Sequence, residues 1–214
     1  MHKHKYETLQ QIIGNVSRET FEDLLYYEQE VLKWQKHINL ISPNTVNDIW
    51  SRHILDSAQL YNYSKNYDNC LDIGSGGGFP GVVLAILNKK KPKFHITLVE
   101  KLKKKTSFLQ YIISTLALPA IAVAQRIENI AQQQKAQLVT ARAVTQLTQL
   151  FELAEPIFAN GAYALLQKGQ NTEQELTQAY KNWTFDLKQH ISCIEVSSII
   201  LEISNVKRKS IADE

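Results

Sequence analysis

Apolar positions recur at helical spacing early in the chain. From residue 18 onward Phe21, Leu24, Leu25, Val31, Leu32 and Ile38 fall about one turn apart, which predicts a helix over 18–37 with Ser17 as its N-cap. Pro43-Asn44 interrupts the pattern, and Val46, Ile49, Trp50, Ile54, Leu55 and Leu60 then predict a second helix over 45–63. Residues 1–65 therefore form a helical cap. The period changes at Cys70. Short apolar runs at Cys70–Ile73, Phe94–Val99, Ala120–Ala124, Leu138–Ala141 and Tyr163–Gln167 each precede an amphipathic segment: from Pro80, over 102–117, near 127–134, over 146–158 and over 171–181. Such alternation predicts a mostly parallel sheet with helices on both faces. The tail differs. Ile191–Val196 and Ile199–Ile203 are joined only by Ser197-Ser198, too short for a crossover, so they predict an antiparallel hairpin. The class is α/β with seven strands, and residues 66–214 make the sheet-bearing unit.

A chain of 214 residues suits one domain with a small helical appendage, and 44% hydrophobic with 21% charged residues is ordinary globular composition. The longest unbroken apolar run is Val82–Leu87, far short of the roughly 18 residues a membrane span requires. The opening MHKHKYETLQQ has no apolar core behind its basic residues, so it does not read as a secretory signal, and a cytoplasmic location is expected. Cys70 and Cys193 are too few for a disulfide framework and lack metal-ligand spacing; both read as reduced, partly buried thiols. His2 and His4 read as disordered, not as a metal site.

Net charge is +3, but its distribution says more. Residues 89–105 hold eight lysines (89, 90, 91, 93, 101, 103, 104 and 105) against the single acid Glu100, and Lys207-Arg208-Lys209 forms a second basic cluster. The first thirty residues lean acidic. Concentrated positive charge suits a polyanion such as nucleic acid, although a merely solvated lysine face would carry the same pattern.

The strongest motif is Leu71-Asp72-Ile73-Gly74-Ser75-Gly76-Gly77-Gly78-Phe79-Pro80-Gly81, at the turn from the first strand into the first helix. That turn is the crevice where doubly wound sheets bind ligands, and five glycines in eight residues exceed what a tight turn alone needs. Gly76-x-Gly78-x-x-Gly81 also spells a dinucleotide fingerprint, so a nucleotide-dependent oxidoreductase is a rival. Asp72 argues against a pyrophosphate, which a nearby carboxylate would repel, and for S-adenosylmethionine, whose ammonium and sulfonium it would attract. Glu100, 22 residues after Gly78 at the end of the second strand, is placed to accept from both ribose hydroxyls.

Asp72–Gly81, taken with Asn39-Leu40-Ile41-Ser42, Arg52-His53-Ile54-Leu55-Asp56-Ser57 and Thr140-Ala141-Arg142-Ala143-Val144, resembles the bacterial RsmG (GidB) family over about residues 20–169. The family comprises small-subunit ribosomal RNA guanine-N7 methyltransferases. The resemblance implies a Rossmann-like methyltransferase fold with an N-terminal helical cap, S-adenosylmethionine as cofactor, and a guanine N7 in 16S rRNA as methyl acceptor. It further implies cofactor contacts at Gly74, Phe79, Ile127, Glu128 and Arg142. Asp72, Gly76 and Glu100 join them from the loop reading. The tail departs from the family pattern: Ser197-Ser198 stands where an arginine precedes the last strand.

The acceptor narrows independently. After the fourth strand the chain carries Thr140-Ala141-Arg142-Ala143, neither the Asn/Asp-Pro-Pro-aromatic motif of amino-methylating enzymes nor the Pro-Cys of cytosine C5 enzymes. Guanine N7 has an in-plane lone pair and no proton, so no catalytic general base is expected; the task is alignment. Arg142 is assigned to cofactor or guanine. Weaker RNA candidates are Arg52, His53, Arg126 and Lys168. Arg52 and Asp56 should share a helix face, with His53 in reach of Asp56, as an RNA contact or a helix-to-core tether. Trp34, Trp50 and Trp183 read as packing. The expected partner is 16S rRNA or a small-subunit precursor, bound by a monomer, with no DNA or membrane partner. A small-molecule methyltransferase and a non-enzymatic RNA-binding protein also fit parts of the pattern.

Overall fold

The computed structural model describes residues 2–142, 145–195 and 197–209; Ala143, Val144, Val196 and the residues after Lys209 lie outside them. Seven strands form one sheet in the order β3-β2-β1-β4-β5-β7-β6. Their spans are β1 Asn69–Ile73, β2 His95–Val99, β3 Ala120–Val123, β4 Leu138–Arg142, β5 Tyr163–Lys168, β6 Trp183–Ile191 and β7 Ile199–Arg208. The first five run parallel; β7 is antiparallel to both β5 and β6. Because β1 is covered on both faces, its sequence Cys70-Leu71-Asp72-Ile73 is buried throughout. Strand order reverses at β1, between β2 and β4, which opens a crevice at the carboxyl ends of these strands.

Two apolar layers cover the sheet. On one face Cys70, Ile96 and Leu138 pack with Leu9, Phe21, Leu24 and Tyr27 of the N-terminal helices and with Val82–Ile86. On the other, Leu71, Ile73 and Val139 pack with Leu147, Phe151, Ile157 and Leu176. The N-terminal helices and the sheet thus share one core. Trp50 and Trp183 are buried packing residues, and Trp34 lies against Phe108 and Tyr111.

The five parallel strands and the helix α2 (Arg18–Gln35) lie where periodicity placed them, and Ser17 Oγ caps α2 by accepting from the Thr20 N–H at 3.1 Å. Several expectations change. His2 and His4 are helical: α1 (His2–Ile13) forms on the sparse stripe Tyr6, Leu9 and Ile13, with the Tyr6 hydroxyl donating to the Val16 carbonyl at 2.7 Å. The helix expected over 45–63 breaks into a 3-10 turn (Pro43–Asp48), a π-turn (Trp50–Leu55) and two short helical turns, α3 (Asp56–Ala58) and α4 (Tyr61–Ser64). Residues 127–134 form two 3-10 turns, Ile127–Asn129 and Ala131–Gln133. The span 146–158 divides into α7 (Leu147–Leu153) and α8 (Glu155–Ala159), because Pro156 has no N–H to continue a helix.

The C-terminal hairpin is also re-registered. The strand expected at Ile191–Val196 runs instead over Trp183–Ile191, directly out of α9 (Thr172–Asn182), and Val196 lies outside the described residues. Trp183, Phe185 and Leu187 alternate with polar residues, as an edge strand with one wet face requires. Between β6 and β7 Ser192 N–H donates to the Ser198 carbonyl, so the connection is longer than the expected two-residue turn.

The turn after β1 leads into α5 (Gly81–Leu87), and Gly78 within it has φ +100°. A Cβ there would lie 2.5 Å from Val82 Cγ2 and 2.7 Å from Tyr27 Oη. Gly78→Ala should therefore lower stability by about 2 kcal/mol or more through strain and overpacking. Urea midpoints of the purified variant check it; a loss below about 0.5 kcal/mol would show that the loop can shift.

Candidate active site

The glycine turn uses positive φ at Gly74 (69°), Gly76 (56°) and Gly78 (100°), a run of backbone conformations that side-chain-bearing residues rarely adopt. It is held from outside. Gly74 and Ser75 N–H groups donate to the Val99 carbonyl at 2.9 and 3.1 Å, and the Tyr27 hydroxyl donates to the Gly77 carbonyl at 2.6 Å. Glu100, at the end of β2, accepts from Gly76 N–H through Oε2 at 3.0 Å and from Leu102 N–H through Oε1 at 2.8 Å. Each carboxylate oxygen has acceptor capacity left over.

These groups border a cleft of about 330 Å³ that also receives Arg126, Ile127 and Glu128 from the turn after β3, with Val99 and Leu153 as apolar wall. Gly74, Glu100, Arg126, Ile127 and Glu128, chosen from sequence, are thereby brought together. Asp72 is not in that wall. It is fully buried beneath the loop, where its Oδ1 accepts from Thr140 Oγ1 at 2.7 Å and its Oδ2 has no hydrogen-bond partner. Burial pushes its carboxyl up to about 6, against the opposing pull of its hydrogen bonds and of Arg142. Any attraction between Asp72 and a cation in the cleft acts through space and through the loop it supports.

Arg142 and Phe79, also chosen from sequence, do not line that cleft. The guanidinium sits 5.2 Å from the Phe79 ring centre, with the His53 ring 5.0 Å from the same ring. Arg142 Nη2 donates to His53 Nδ1 at 2.5 Å, and Nη1 donates to the Arg52 carbonyl at 3.1 Å and to Asp56 Oδ2 at 3.5 Å. Arginine has no acceptor, so Nδ1 must be the unprotonated nitrogen, and Nε2–H donates to Thr45 Oγ1 at 2.8 Å. Asp56 also accepts from Gln59 (2.7 Å to Oδ1) and from Gln167 (2.7 Å to Oδ2). Gln59 reaches onward to Ser192 Oγ at 3.0 Å and accepts from Cys193 N–H at 3.2 Å. One buried polar network therefore ties the π-turn, β4, β5 and the C-terminal loop.

Other sequence candidates are engaged elsewhere. The π-turn replaces the i,i+4 face expected of an α-helix, and Arg52 pairs with Glu195 at 3.4 Å in place of the expected Asp56. Within the network His53 contacts Arg142 and Thr45, which is the tether reading. Lys168 is held by Glu175 at 2.6 Å and by the Thr145 carbonyl at 2.8 Å. The lysine run divides: Lys89, Lys90 and Lys91 pair with Asp23, Glu19 and Asp68, so much of the N-terminal acidity is matched across space. Lys101, Lys103, Lys104 and Lys105 have no carboxylate within 4 Å among the described residues; Lys101 borders the cleft, and the other three open α6 (Lys103–Thr115) two residues further on. In the C-terminal basic cluster Arg208 pairs with Glu155 and stacks on Trp183. Cys70 is buried, with its thiol pushed up to about 12 by burial, whereas Cys193 is exposed, contrary to the partly buried state expected of both. Sequence reasoning missed Gln59 and Gln167. Among the described residues no cluster of His, Cys, Asp and Glu could hold a metal ion, and no helix is long and apolar enough to cross a membrane.

Comparison with known proteins matches residues 20–202 to the family model GidB, described as rRNA small subunit methyltransferase G. The chain is 46% identical over 204 residues to ribosomal RNA small subunit methyltransferase G of Bartonella henselae, covering 95% of each chain. To the protein of the same name from Brucella melitensis it is 45% identical over 207 residues, covering 96% of this chain and 97% of the relative. Among solved structures it resembles an O-methyltransferase from Bacillus cereus in complex with SAH (TM-score 0.58, 13% identity, 96% and 100% of the two chains). A methyltransferase from Geobacter sulfurreducens is similar in fold (TM-score 0.57, 9% identity, 94% and 96%). At these identities the structural likeness shows a Rossmann-like methyltransferase fold.

Burial, reinforced by the charges of Arg142 and Arg52, depresses His53 from 6.5 to about 3. The folded protein therefore keeps His53 neutral while the unfolded chain binds a proton below about 6.5. This group makes stability fall as pH drops from about 6.5 toward 3, with a slope of about 1.4 kcal/mol per unit, and has no effect above that window. His53→Gln retains an acceptor for Arg142, so urea unfolding from pH 7 to 4.5 should show a slope shallower by about one proton. Identical slopes would mean that His53 is protonated in the fold.

Proposed function

The chain belongs to the GidB family of rRNA small subunit methyltransferase G proteins, and we propose that it transfers a methyl group from S-adenosylmethionine to N7 of a guanine in 16S ribosomal RNA. The observation that carries the reading is Glu100 at the mouth of the first crossover, fixed by two backbone N–H groups yet able to accept from a ribose diol. The residues fit such a donor: Gly74 brings backbone close without a Cβ, Ile127 with Val99 and Leu153 offers an apolar slot for adenine, and Glu128 and Glu100 favour a cation. Asp72 ties β1 to β4 beneath the loop through Thr140, Gly76 N–H locks Glu100, and Phe79 with Arg142 closes the acceptor side.

When bound, S-adenosylmethionine supplies an electrophilic methyl on a sulfonium. A bond forms from the N7 lone pair to the methyl carbon as the carbon–sulfur bond breaks, and the electron pair stays on sulfur. N7 carries no proton, so none must be removed and no side chain is assigned as general base. The protein's part is alignment and exclusion of water, for which rigid walls suffice. The substrate is 16S rRNA or a small-subunit precursor, met in the cytoplasm by a monomer. Lys101, Lys103, Lys104 and Lys105, with Arg126 beside the cleft, hold the RNA backbone.

Two measurements check this. Mapping of 16S rRNA from cells with and without the gene should show one 7-methylguanosine missing, and an unchanged map would sink the rRNA reading. The lysines of α6 crowd the positive end of a helix with no acid in its first turn. Lys103→Glu with Lys104→Glu should therefore leave thermal stability unchanged or raised and leave affinity for S-adenosylhomocysteine within about twofold. RNA affinity should fall, with the log–log salt slope shallower by about 1 to 2. An unaltered salt slope would remove these lysines from the RNA interface.

A further inference from the structure

We propose that Glu175 and Lys168 are positioning residues that fix Thr145–Leu147, a segment shared by the cofactor cleft and the cleft beside Arg142. The inference rests on the cofactor reading of the first cleft given above. Thr145 lines that cleft of about 330 Å³ together with Glu100, Ile127, Gln149 and Leu153. It also lines a neighbouring cleft of about 410 Å³ with Arg142, Lys168 and Ser198. One short stretch of backbone between β4 and α7 therefore borders both.

That stretch does not hold itself. Among the described residues neither the Thr145 carbonyl nor the Leu147 N–H has a backbone partner. Leu147 opens α7, so its N–H is one of the donors that a helix leaves unpaired at its start. Gln146, the N-cap residue, makes no side-chain cap bond. Both open groups are served from β5 and α9 instead. Lys168 Nζ, at the end of β5, donates to the Thr145 carbonyl at 2.8 Å. Glu175 Oε2, on the first turn of α9, accepts from the Leu147 N–H at 2.9 Å. The two side chains are joined to each other at 2.6 Å and are only 11% and 20% exposed. Gln146 is thus bracketed on either side by anchors that also brace one another.

The hold passes into the cofactor wall. Thr145 Oγ1 donates to Gln149 Oε1, one turn into α7, and Gln149 faces the same cleft as Glu100. The far side of α7 is sunk in the core through Leu147, Leu150 and Phe151. Packing therefore fixes the body of the helix, and the ion pair fixes its entry. An RNA phosphate would have to displace Glu175 to use Lys168, two of whose three N–H donors are already spent. A reaction that needs only alignment is sensitive to such a wall, since a misplacement of about 1 Å costs up to about 100-fold.

The test is steady-state methylation of small-subunit rRNA from cells lacking the gene, with the full-length enzyme. Glu175→Ala should raise KM for S-adenosylmethionine by about 5- to 10-fold and lower kcat by about tenfold. KM for RNA should stay within about twofold, and the log–log salt slope of RNA binding should not change. Lys168→Met should behave in the same way. Glu175→Gln keeps a carbonyl oxygen for both Leu147 N–H and Lys168, and should return each constant to within about threefold of the unaltered enzyme. All variants are compared below the onset of their own thermal unfolding. A salt slope shallower by about 1 in Lys168→Met, with KM for S-adenosylmethionine unchanged, would make Lys168 a phosphate contact and overturn the assignment. So would equal losses in Glu175→Gln and Glu175→Ala, or unaltered kinetics in both Glu175→Ala and Lys168→Met. An unchanged affinity of Glu100→Ala for S-adenosylhomocysteine would instead overturn the cofactor reading of the cleft, and this assignment only along with it.

Discussion

A turn with three left-handed glycines has no local preference strong enough to keep it in one shape, so its geometry must be imposed by neighbours. The bond from the Tyr27 hydroxyl to the Gly77 carbonyl, 2.6 Å long and fully buried, is the contact on which that imposition depends. Burial raises Tyr27 well above the usual phenol range, so the hydroxyl stays a donor. Leu40 backs the same turn from the N-terminal segment, and Glu100 fastens it from β2. The helical N-terminus is consequently the support of the glycine turn and not an ornament beside it. A hydrogen bond of this kind is worth about 1 kcal/mol net, but orphaning the buried carbonyl would cost more.

Asp56 does for the acceptor side what Tyr27 does for the donor side. Its carboxylate gathers Arg142, Gln59 and Gln167, and burial nevertheless holds its acidity weaker than usual. Burying a charge is tolerable only where most of its lone pairs are satisfied. That requirement explains why two glutamines from distant parts of the chain converge on it. It also explains the geometry left over: once both donors of Gln167 are committed to Asp56, its carbonyl has nowhere to turn.

The parallel strands and the glycine turn were legible because their signals are local: continuous apolar runs, a glycine cluster, an N-cap at Ser17. The hairpin was misregistered because an edge strand such as Trp183–Ile191 is half polar and competes poorly with the β-branched tail in any reading by composition. The break in 45–63 carries no proline or glycine to announce it. Gln167 was invisible for another reason. A lone polar residue after Ala164-Leu165-Leu166 marks a strand end, but its partner Asp56 is 111 residues away, and no spacing rule spans that gap. The lysine run was half misread on similar grounds, since Glu19, Asp23 and Asp68 neutralise it only across space.

Gln59 meets Ser192 and Cys193 across 133 and 134 positions of chain. Contacts this remote in sequence form late, after the local elements exist. During synthesis the glycine turn and its helical support can be finished before the last strands are made, whereas the Asp56 knot cannot. A nascent chain would thus acquire the capacity to hold its small ligand before it acquires a completed partner-binding wall.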